Sequence, residues 1–334
     1  NRMPQQIITQ NNQQSLTQNN QLNLTQNNQI KKENPNYDDI NFNDVLNCKN
    51  INDDIINKEF NKLKALNCTE NTRSFCGNKI IYNYQLNNML NTRRDTKGRN
   101  VIFDDLLEEI FNDDWKKQYW INQTIKINRR KKNDFIDATD IYECYRLCRG
   151  SINTFKPATT KYLCNKFKAK KMLDFTAGWG GRLLGARSLG IEYTGIDTNI
   201  NLKNGYDKMI NKFGGKMIYE SCLDVDFSKI DYDFVLTSPP YINLELYDNM
   251  TPFETKEIFY KEFLIPMINK SLKYIKRNGS VCINISNYMY DDYIKYGGKP
   301  CIDKIDLLQQ MGGKPNKEMV YIFRKLKFNI IKKL

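Results

Sequence analysis

The chain has 334 residues, with 51 Lys or Arg against 38 Asp or Glu, which gives a formal net charge of +13. It contains no histidine, and this excludes histidine general bases, Ser-His-Asp triads and histidine-ligated metals. The positive surplus favours a polyanionic partner, although a lysine-rich surface kept for solubility gives the same balance.

Apolar runs and cysteines indicate the environment of the chain. No apolar run approaches the roughly 18 residues that a membrane span needs, and the chain does not open on a basic-then-apolar signal segment. The nine cysteines are odd in number and include no C-x-x-C pair, which is typical of reduced thiols. Cys144 and Cys148 are four apart on a predicted helix, where packing is a better interpretation than zinc binding. We therefore expect a soluble, intracellular protein without a metal.

The first 36 residues are of low complexity. A unit containing T-Q-N-N-Q recurs every eight residues, beginning at Ile8, Leu16 and Leu24. Such a composition buries too little apolar surface to offset chain entropy. We predict a disordered tail over residues 1–36.

Residues 37–150 are predicted to be mainly helical. Apolar residues recur at helical spacing over 101–111 and again over 141–149. Two basic clusters interrupt this region, at Arg93, Arg94, Lys97 and Arg99 and at Lys126, Arg129, Arg130, Lys131 and Lys132. The second follows the aromatic residues Trp115, Tyr119 and Trp120. A basic and aromatic region is typical of nucleic-acid binding, and a solvated charged helix face is the alternative.

From residue 151 onward short apolar strands alternate with amphipathic helices, which predicts an α/β fold with a doubly wound, mostly parallel sheet. We expect strands at Met172–Phe175, Tyr193–Ile196, Lys216–Tyr219, Phe234–Thr237 and Ser280–Ser286. We expect helices near Arg182–Leu189, Asn201–Phe213 and Phe253–Arg277. A final antiparallel hairpin is predicted from Met319–Arg324 and Leu326–Ile331.

The first of these strands ends in K-M-L-D-F-T-A-G-W-G-G-R, where Gly178 and Gly180 form a tight turn that opens onto a helix. Such a turn lets a ligand approach the backbone at the helix N-terminus. The next strand ends at Asp197, at the spacing where an acidic side chain can accept both hydroxyls of a ribose. The alternative is a structural strand-to-helix turn followed by a surface Asp. In the same register Asp224 follows the third strand, as an acceptor for an adenine amino group or as a helix N-cap.

The fourth strand runs into Ser238-Pro239-Pro240-Tyr241. Two consecutive prolines fix φ near −65° and remove both backbone N–H groups, so the loop presents carbonyl oxygens without competing donors. A strand-terminating turn beneath a tyrosine is the alternative.

These motifs, in this order, resemble the S-adenosylmethionine-dependent amino-methyltransferases of DNA, the N4-cytosine/N6-adenine class. The resemblance covers about residues 151–334 and implies a Rossmann-like methyltransferase sheet. The residues that match cofactor-binding positions are Phe155, Pro157, Asp174, Gly178, Gly180, Asp197 and Asp224. Those that match the catalytic tetrapeptide are Ser238, Pro239, Pro240 and Tyr241.

The resemblance implies S-adenosylmethionine as the cofactor and double-stranded DNA as the partner. The Ser238 hydroxyl and the Pro239 carbonyl would accept the hydrogens of the target amine, and Tyr241 would stack on a base flipped from the duplex. Ser238 leaves adenine and cytosine open as targets. Since no target-recognition insert lies within the matched region, residues 37–150 are the candidate DNA-reading part, with Arg129, Arg130, Lys131 and Lys132 on the nucleic acid. An RNA or protein-glutamine methyltransferase and an inactive binding subunit are the alternatives.

Overall fold

The computed structural model describes residues 41–72, 74–96, 99–101, 110, 112–131, 137–149, 152–242, 245–246, 253–307 and 318–325. The predictions for the tail at 1–36, for most of the helix at 101–111, for Lys132 and for the strand at 326–331 fall outside these residues. Among the described residues, no helix has the length and apolar character that crossing a membrane requires.

A seven-stranded sheet organises the second half of the chain. Its strands, in chain order, are β3 (Lys171–Asp174), β4 (Glu192–Ile196), β5 (Lys216–Ile218), β6 (Phe234–Thr237), β8 (Ser280–Ser286), β9 (Asp303–Asp306) and β10 (Glu318–Arg324). The spatial order is β5-β4-β3-β6-β8-β10-β9. The first five strands are parallel, whereas β10 pairs antiparallel with both β8 and β9.

Helices follow the parallel strands and cover the sheet. They are α6 (Pro157–Lys166) before β3, α7 (Gly181–Arg187) after it, α8 (Lys203–Phe213) after β4, and α11 (Asn287–Lys295) after β8. Between β6 and β8 the chain forms α9 (Lys256–Ile258), a π-helical segment at Phe259–Leu264 and α10 (Ile265–Tyr274) without a break. This is the predicted doubly wound, Rossmann-like sheet with an antiparallel pair at one end.

Alternation along the central strands builds a core on each face of the sheet. Met172 of β3 and Phe234 of β6 belong to one apolar cluster, whereas their neighbours Leu173 and Val235 belong to the other. Successive strand residues point to opposite faces, so both faces of these strands are buried, as a parallel sheet between two helical layers requires.

Two N-terminal helices share the first of these cores. They are α2 (Asp53–Ala65) and α3 (Asn78–Leu90), preceded by the short α1 (Phe42–Asn47). Leu63 and Ile80 pack in the same cluster as Leu163 of α6. Lys161 of α6 is buried, and its ammonium donates to the carbonyl oxygens of Leu63, Lys64 and Leu66 at 2.8, 2.6 and 2.8 Å. These carbonyls lie at the C-terminal end of α2, where helix carbonyls lack partners within the helix. The buried ammonium of Lys161, from a helix that covers the sheet, therefore caps α2.

The rest of the N-terminal region combines helices with a small sheet. The helices are α4 (Asp114–Lys131) and α5 (Ala138–Arg149). Helix α5 contains the stretch 141–149, for which the sequence predicts a helix. The strands β1 (Arg93–Thr96) and β2 (Arg99–Val101) form an antiparallel pair, and β7 (Glu245–Leu246) adds to β1. The prediction of a mainly helical region missed these strands, because their charged sequence shows neither the helical spacing of apolar residues nor the apolar-polar alternation of a strand. The boundary at residue 150 stays a prediction.

The strand and helix predictions that fall on described residues agree with the structure to within a few residues. The described antiparallel partners of β10 are β8 and β9, which both precede it in the chain, and the predicted strand at 326–331 lies outside the described residues. The sequence did not predict β9, Asp-Lys-Ile-Asp, because it is polar and short and does not present the alternation by which strands are found.

Candidate active site

The glycine loop between β3 and α7 is shaped by close packing. Gly180 has φ of +92°, and a Cβ there would lie 2.7 Å from Cε of Met209. At Gly181 a Cβ would lie 1.9 Å from the Phe155 carbonyl oxygen. A side chain at either position would displace the backbone or its support. The bulky Trp179 between the glycines is buried in the first core.

Asp174, at the end of β3, anchors this loop from below. It has no exposed surface, and one carboxylate oxygen accepts from Nε of Arg182 at 2.7 Å and from the Tyr193 hydroxyl at 2.9 Å. The other oxygen accepts from the Thr237 hydroxyl at 2.8 Å. A buried carboxyl group is costly unless it is paired and hydrogen-bonded, and these three partners meet that need. Asp174 therefore shapes the loop through its neighbours, and its place among the cofactor-binding residues stays a prediction.

Asp197 faces the loop from the end of β4. Its two carboxylate oxygens accept from the backbone N–H groups of Gly178, at 2.8 Å, and of Asn199, at 2.9 Å. Burial raises the pKa of the Asp197 carboxyl from 3.8 to about 6, and the two backbone bonds oppose that rise. Each oxygen retains a lone pair for a further donor. The structure thus brings Gly178 and Asp197 into contact, and the binding of a cofactor by these residues stays a prediction.

The segment before α6 flanks the glycine loop. The Phe155 ring lies 5.3 Å from the guanidinium carbon of Arg182, and its carbonyl packs on Gly181. Pro157 is buried at the first turn of α6, and its carbonyl oxygen lies against Gly185 of α7. Phe155 and Pro157 therefore come to the predicted place beside the loop, although a direct contact with a cofactor stays a prediction.

Asp224 lies in an exposed turn after β5, at the same end of the sheet. Two apolar side chains near the predicted acids are also exposed: Ile200 follows Asp197, and Leu223 precedes Asp224. Exposed apolar groups beside acidic ones suit a ligand with a flat apolar body and polar edges. Sequence reasoning missed Ile200 and Leu223, because an isolated apolar residue in a loop gives no signal before its exposure is known.

Hydroxyl groups join the glycine loop to the tetrapeptide. The hydroxyl oxygens of Thr176 and Thr237 lie 2.5 Å apart, and that of Thr176 lies 3.0 Å from the Ser238 carbonyl oxygen. Thr237 donates its only hydroxyl hydrogen to Asp174, so the single hydroxyl hydrogen of Thr176 is shared between the Thr237 hydroxyl oxygen and the Ser238 carbonyl oxygen. This chain sets the distance between the two motifs. Sequence reasoning missed both threonines, although a Thr that ends a buried strand is a usable signal.

The tetrapeptide continues along the same end of the sheet. Pro239 is buried, while Ser238, Pro240 and Tyr241 are half-buried. The Tyr241 hydroxyl donates to the Glu318 carboxylate of β10. Asn284 of β8 donates to the same carboxylate at 3.1 Å. Asn284 is the polar residue in the middle of a buried strand, which is a signal that sequence reasoning passed over; Glu318 gave none.

The second basic cluster is separate from these motifs. Arg129, Arg130 and Lys131 are the last residues of α4, but their side chains and Lys132 lie outside the described part of the chain. Their role on nucleic acid stays a prediction.

The site suits a cofactor with a ribose and an apolar ring. A Cβ at Gly178 would meet no atom nearer than 3.9 Å, so space is open beside the loop. Asp197 borders that space with acceptor oxygens, and the exposed apolar side chains follow the next two strands. In the described ranges, no group of three Cys, Asp or Glu side chains is placed to hold a metal ion.

Part of the chain is similar in sequence to a known methyltransferase. No protein-family profile matches the chain. A type II methyltransferase of Methanocaldococcus jannaschii is 32% identical over 82 residues, which are 23% of this chain and 40% of that protein. The chain thus spans less than half the length of the curated relative that it matches.

Solved structures give a likeness of fold. TrmN of Thermus thermophilus is 15% identical, with a TM-score of 0.38, over 51% of this chain and 49% of that one. An RNA methyltransferase of Salinibacter ruber, in complex with S-adenosyl-L-homocysteine, is 12% identical with a TM-score of 0.33, over 53% and 95%. Over part of its length the chain is thus similar to a type II methyltransferase.

Proposed function

We propose that the chain transfers a methyl group from S-adenosylmethionine to the exocyclic amine of a base in DNA, adenine N6 or cytosine N4. The hydrogen bond from the Thr176 hydroxyl to the Ser238 carbonyl carries this proposal. It holds the cofactor loop and the amine-binding tetrapeptide side by side, as a transfer between two bound molecules requires. The type II methyltransferase among the curated relatives supports the same reaction.

The tetrapeptide fits the chemistry of an aromatic amine. The lone pair of such an amine is delocalised into the ring, so the nitrogen needs acceptors for its hydrogens as it becomes tetrahedral. The Ser238 carbonyl accepts from Thr176, and we assign the acceptor task to the Ser238 hydroxyl and the Pro239 carbonyl. Both stand on a backbone fixed by proline, so the acceptors are aimed before the substrate arrives.

The cofactor would lie along the glycine loop. Asp197 would accept from its ribose, Asp224 from its adenine amine, and Phe155 and Pro157 would close the loop's outer side. S-adenosylmethionine, when bound, supplies a methyl group activated by its sulfonium charge. Tyr241 would stack on the flipped base. The hydrogen bond from the Tyr241 hydroxyl to Glu318 holds the ring in place before the base binds.

Duplex DNA is the proposed partner, with Arg129, Arg130, Lys131 and Lys132 on its phosphates. Changing all four to Ala should weaken duplex binding and leave cofactor affinity unchanged. Each lost phosphate contact should flatten the slope of log affinity against log salt by about 0.9. A folded variant that keeps the parental slope would place the duplex elsewhere.

The direct test identifies the product. The protein is incubated with methyl-labelled S-adenosylmethionine and duplex DNA, and the DNA is digested to nucleosides and separated. We expect label in N6-methyldeoxyadenosine or N4-methyldeoxycytidine. The Ser238→Ala variant should incorporate label at no more than about one hundredth of the parental rate. Parallel incubations contain RNA of the same sequence or a glutamine-containing protein. Label in either of these, and not in DNA, would contradict the proposal, as would the absence of transfer to any substrate.

A further inference from the structure

Helix α4 carries an exposed aromatic pair that the proposed active site does not use. Trp115 is 73% exposed and Tyr119, one turn later, is 42% exposed. Their ring centroids are 6.0 Å apart and their planes differ by 15°, so the two rings are stacked on the helix surface. Trp120, by contrast, is buried with Ile110 against α5. The helix therefore has a packed face and an outward aromatic face.

The outward face continues as a stripe along the helix. Trp115, Tyr119, Asn122 and Lys126 are all exposed and recur at helical spacing. The eleven residue steps from Trp115 to Lys126 span about 16 Å at 1.5 Å per step. The stripe thus places stacking rings, an amide and a cation in one line, a few nucleotides long.

We propose that this stripe, residues Trp115, Tyr119, Asn122 and Lys126, binds unpaired single-stranded DNA by stacking bases on the aromatic pair. Within a duplex the faces of the bases are covered by their neighbours, so an indole on a helix surface has no base face to reach. An unpaired base offers both faces, and aromatic side chains bind it regardless of its identity. An exposed Trp beside cations is the usual composition of such a surface.

The charge of α4 favours a polyanion over a protein partner. Its eighteen residues contain six Lys or Arg and one Asp, and the basic residues crowd toward its C-terminal end. A strand stacked on Trp115 and running toward Lys126 would therefore meet increasing positive charge. The proposal does not depend on methyl transfer, since it requires neither the glycine loop nor the tetrapeptide.

Tryptophan fluorescence tests the contact directly in the unmodified protein. The chain has three tryptophans, and the other two, Trp120 and Trp179, are buried at 5% and 7% exposure. Quenching by acrylamide therefore reports mainly on Trp115. We expect a labelled single-stranded DNA oligonucleotide, at saturation, to protect this fluorescence from acrylamide. The complementary duplex should protect it much less. Unchanged quenching at saturation would overturn the proposal.

Variants separate stacking from charge. Trp115→Ala should lower affinity for the single strand by about tenfold without changing the salt slope, because no phosphate contact is lost. Trp115→Phe, which keeps a ring, should recover most of the affinity. Lys126→Ala should instead flatten the slope by about 0.7, the value for one phosphate on a single strand.

Phe75→Ala is the matched control, since Phe75 is another exposed aromatic residue, outside α4. It should bind the single strand like the parent, and each variant should keep the parental melting temperature. Parental affinity in Trp115→Ala, an equal loss in Phe75→Ala, or tighter binding of RNA of the same sequence would each overturn the assignment to single-stranded DNA.

Discussion

The glycine loop and the tetrapeptide lie at the same end of the sheet, but they are held in different ways. The loop is fixed by a buried ion pair, several backbone bonds and close glycine packing, with Asp174 at the centre. The tetrapeptide is held by the Thr176 bond to Ser238 and by the Glu318 contact of Tyr241. The glycine loop is therefore held by buried contacts around Asp174, whereas the position of the tetrapeptide depends on contacts with Thr176 and Glu318.

The largest expected effect tests the core of the loop. Asp174→Ala removes the partner of buried Arg182 and should lower the free energy of unfolding by about 3–5 kcal/mol, measured by chemical denaturation. Glu192→Ala is the control, because it removes an exposed partner of Lys171 at 3.1 Å and should cost less than about 1 kcal/mol. Equal losses in both would mean that the ion pair does not anchor the loop.

A smaller effect, confined to catalysis, is expected on the tetrapeptide side. Ser238→Ala removes one preorganised acceptor and should slow methyl transfer about a hundredfold in a single-turnover assay. Cofactor affinity and melting temperature should stay at parental values, because the half-buried side chain does not support the loop. Transfer at the parental rate would reduce the tetrapeptide to a turn.

The threonine hydroxyls that connect the glycine loop with the tetrapeptide should contribute an intermediate amount to the free energy of unfolding. Thr237→Val removes the hydroxyl that bonds to Asp174 and should lower stability by about 1–3 kcal/mol. Thr160→Val is a matched control: the Thr160 hydroxyl is buried, and among the described residues it has no hydrogen-bond partner. That variant should be neutral or slightly stabilised. Thr237→Val should also slow methyl transfer, and Thr237→Ser, which keeps the hydroxyl, should recover stability and transfer rate together. Recovery of stability without recovery of the transfer rate would contradict the coupling of the two motifs.

The smallest effect concerns Asp197 and pH. Asp197→Ala should weaken cofactor binding by about tenfold, measured by calorimetry. In the parent, the carboxyl with a pKa of about 6 is protonated below that value, so cofactor affinity should rise as pH increases from 5 to 7. The raised pKa has the opposite sign for folding: its contribution to stability is complete below pH 3.8 and is lost as pH rises through about 6. A flat affinity profile would remove Asp197 from the site.

Local chemistry in the sequence was enough to predict which residues gather at one end of the sheet. Glycines after a strand, acids at strand ends and consecutive prolines are visible in the letters, and the structure brings Gly178, Asp197 and Ser238 to one end of the sheet. The threonine chain and the tie from Glu318 to Tyr241 were not predictable, because they join residues up to 77 positions apart. Such contacts depend on strand order, which no single segment encodes.

Elements of the fold were also predictable where the local sequence specifies them, and not where they depend on contacts between distant segments. Strands buried on both faces appear as apolar runs, so β6 and β8 were predicted with their observed bounds. The polar β9 and the charged pair β1 and β2 were missed, since their stability comes from the neighbours they pair with.

The buried ammonium of Lys161 bears on how this protein can be divided. Three main-chain oxygens at the C-terminal end of α2, those of Leu63, Lys64 and Leu66, replace the water around that charge. An expression fragment that begins at residue 151 would therefore leave a cation in an apolar layer without these acceptors. It would also uncover the side of α6 on which Leu63 rests. The N-terminal helices are therefore not a detachable module. We expect recombinant versions, chimaeras and circular permutants of the part that contains the seven-stranded sheet to need the chain from α2 onward to stay folded.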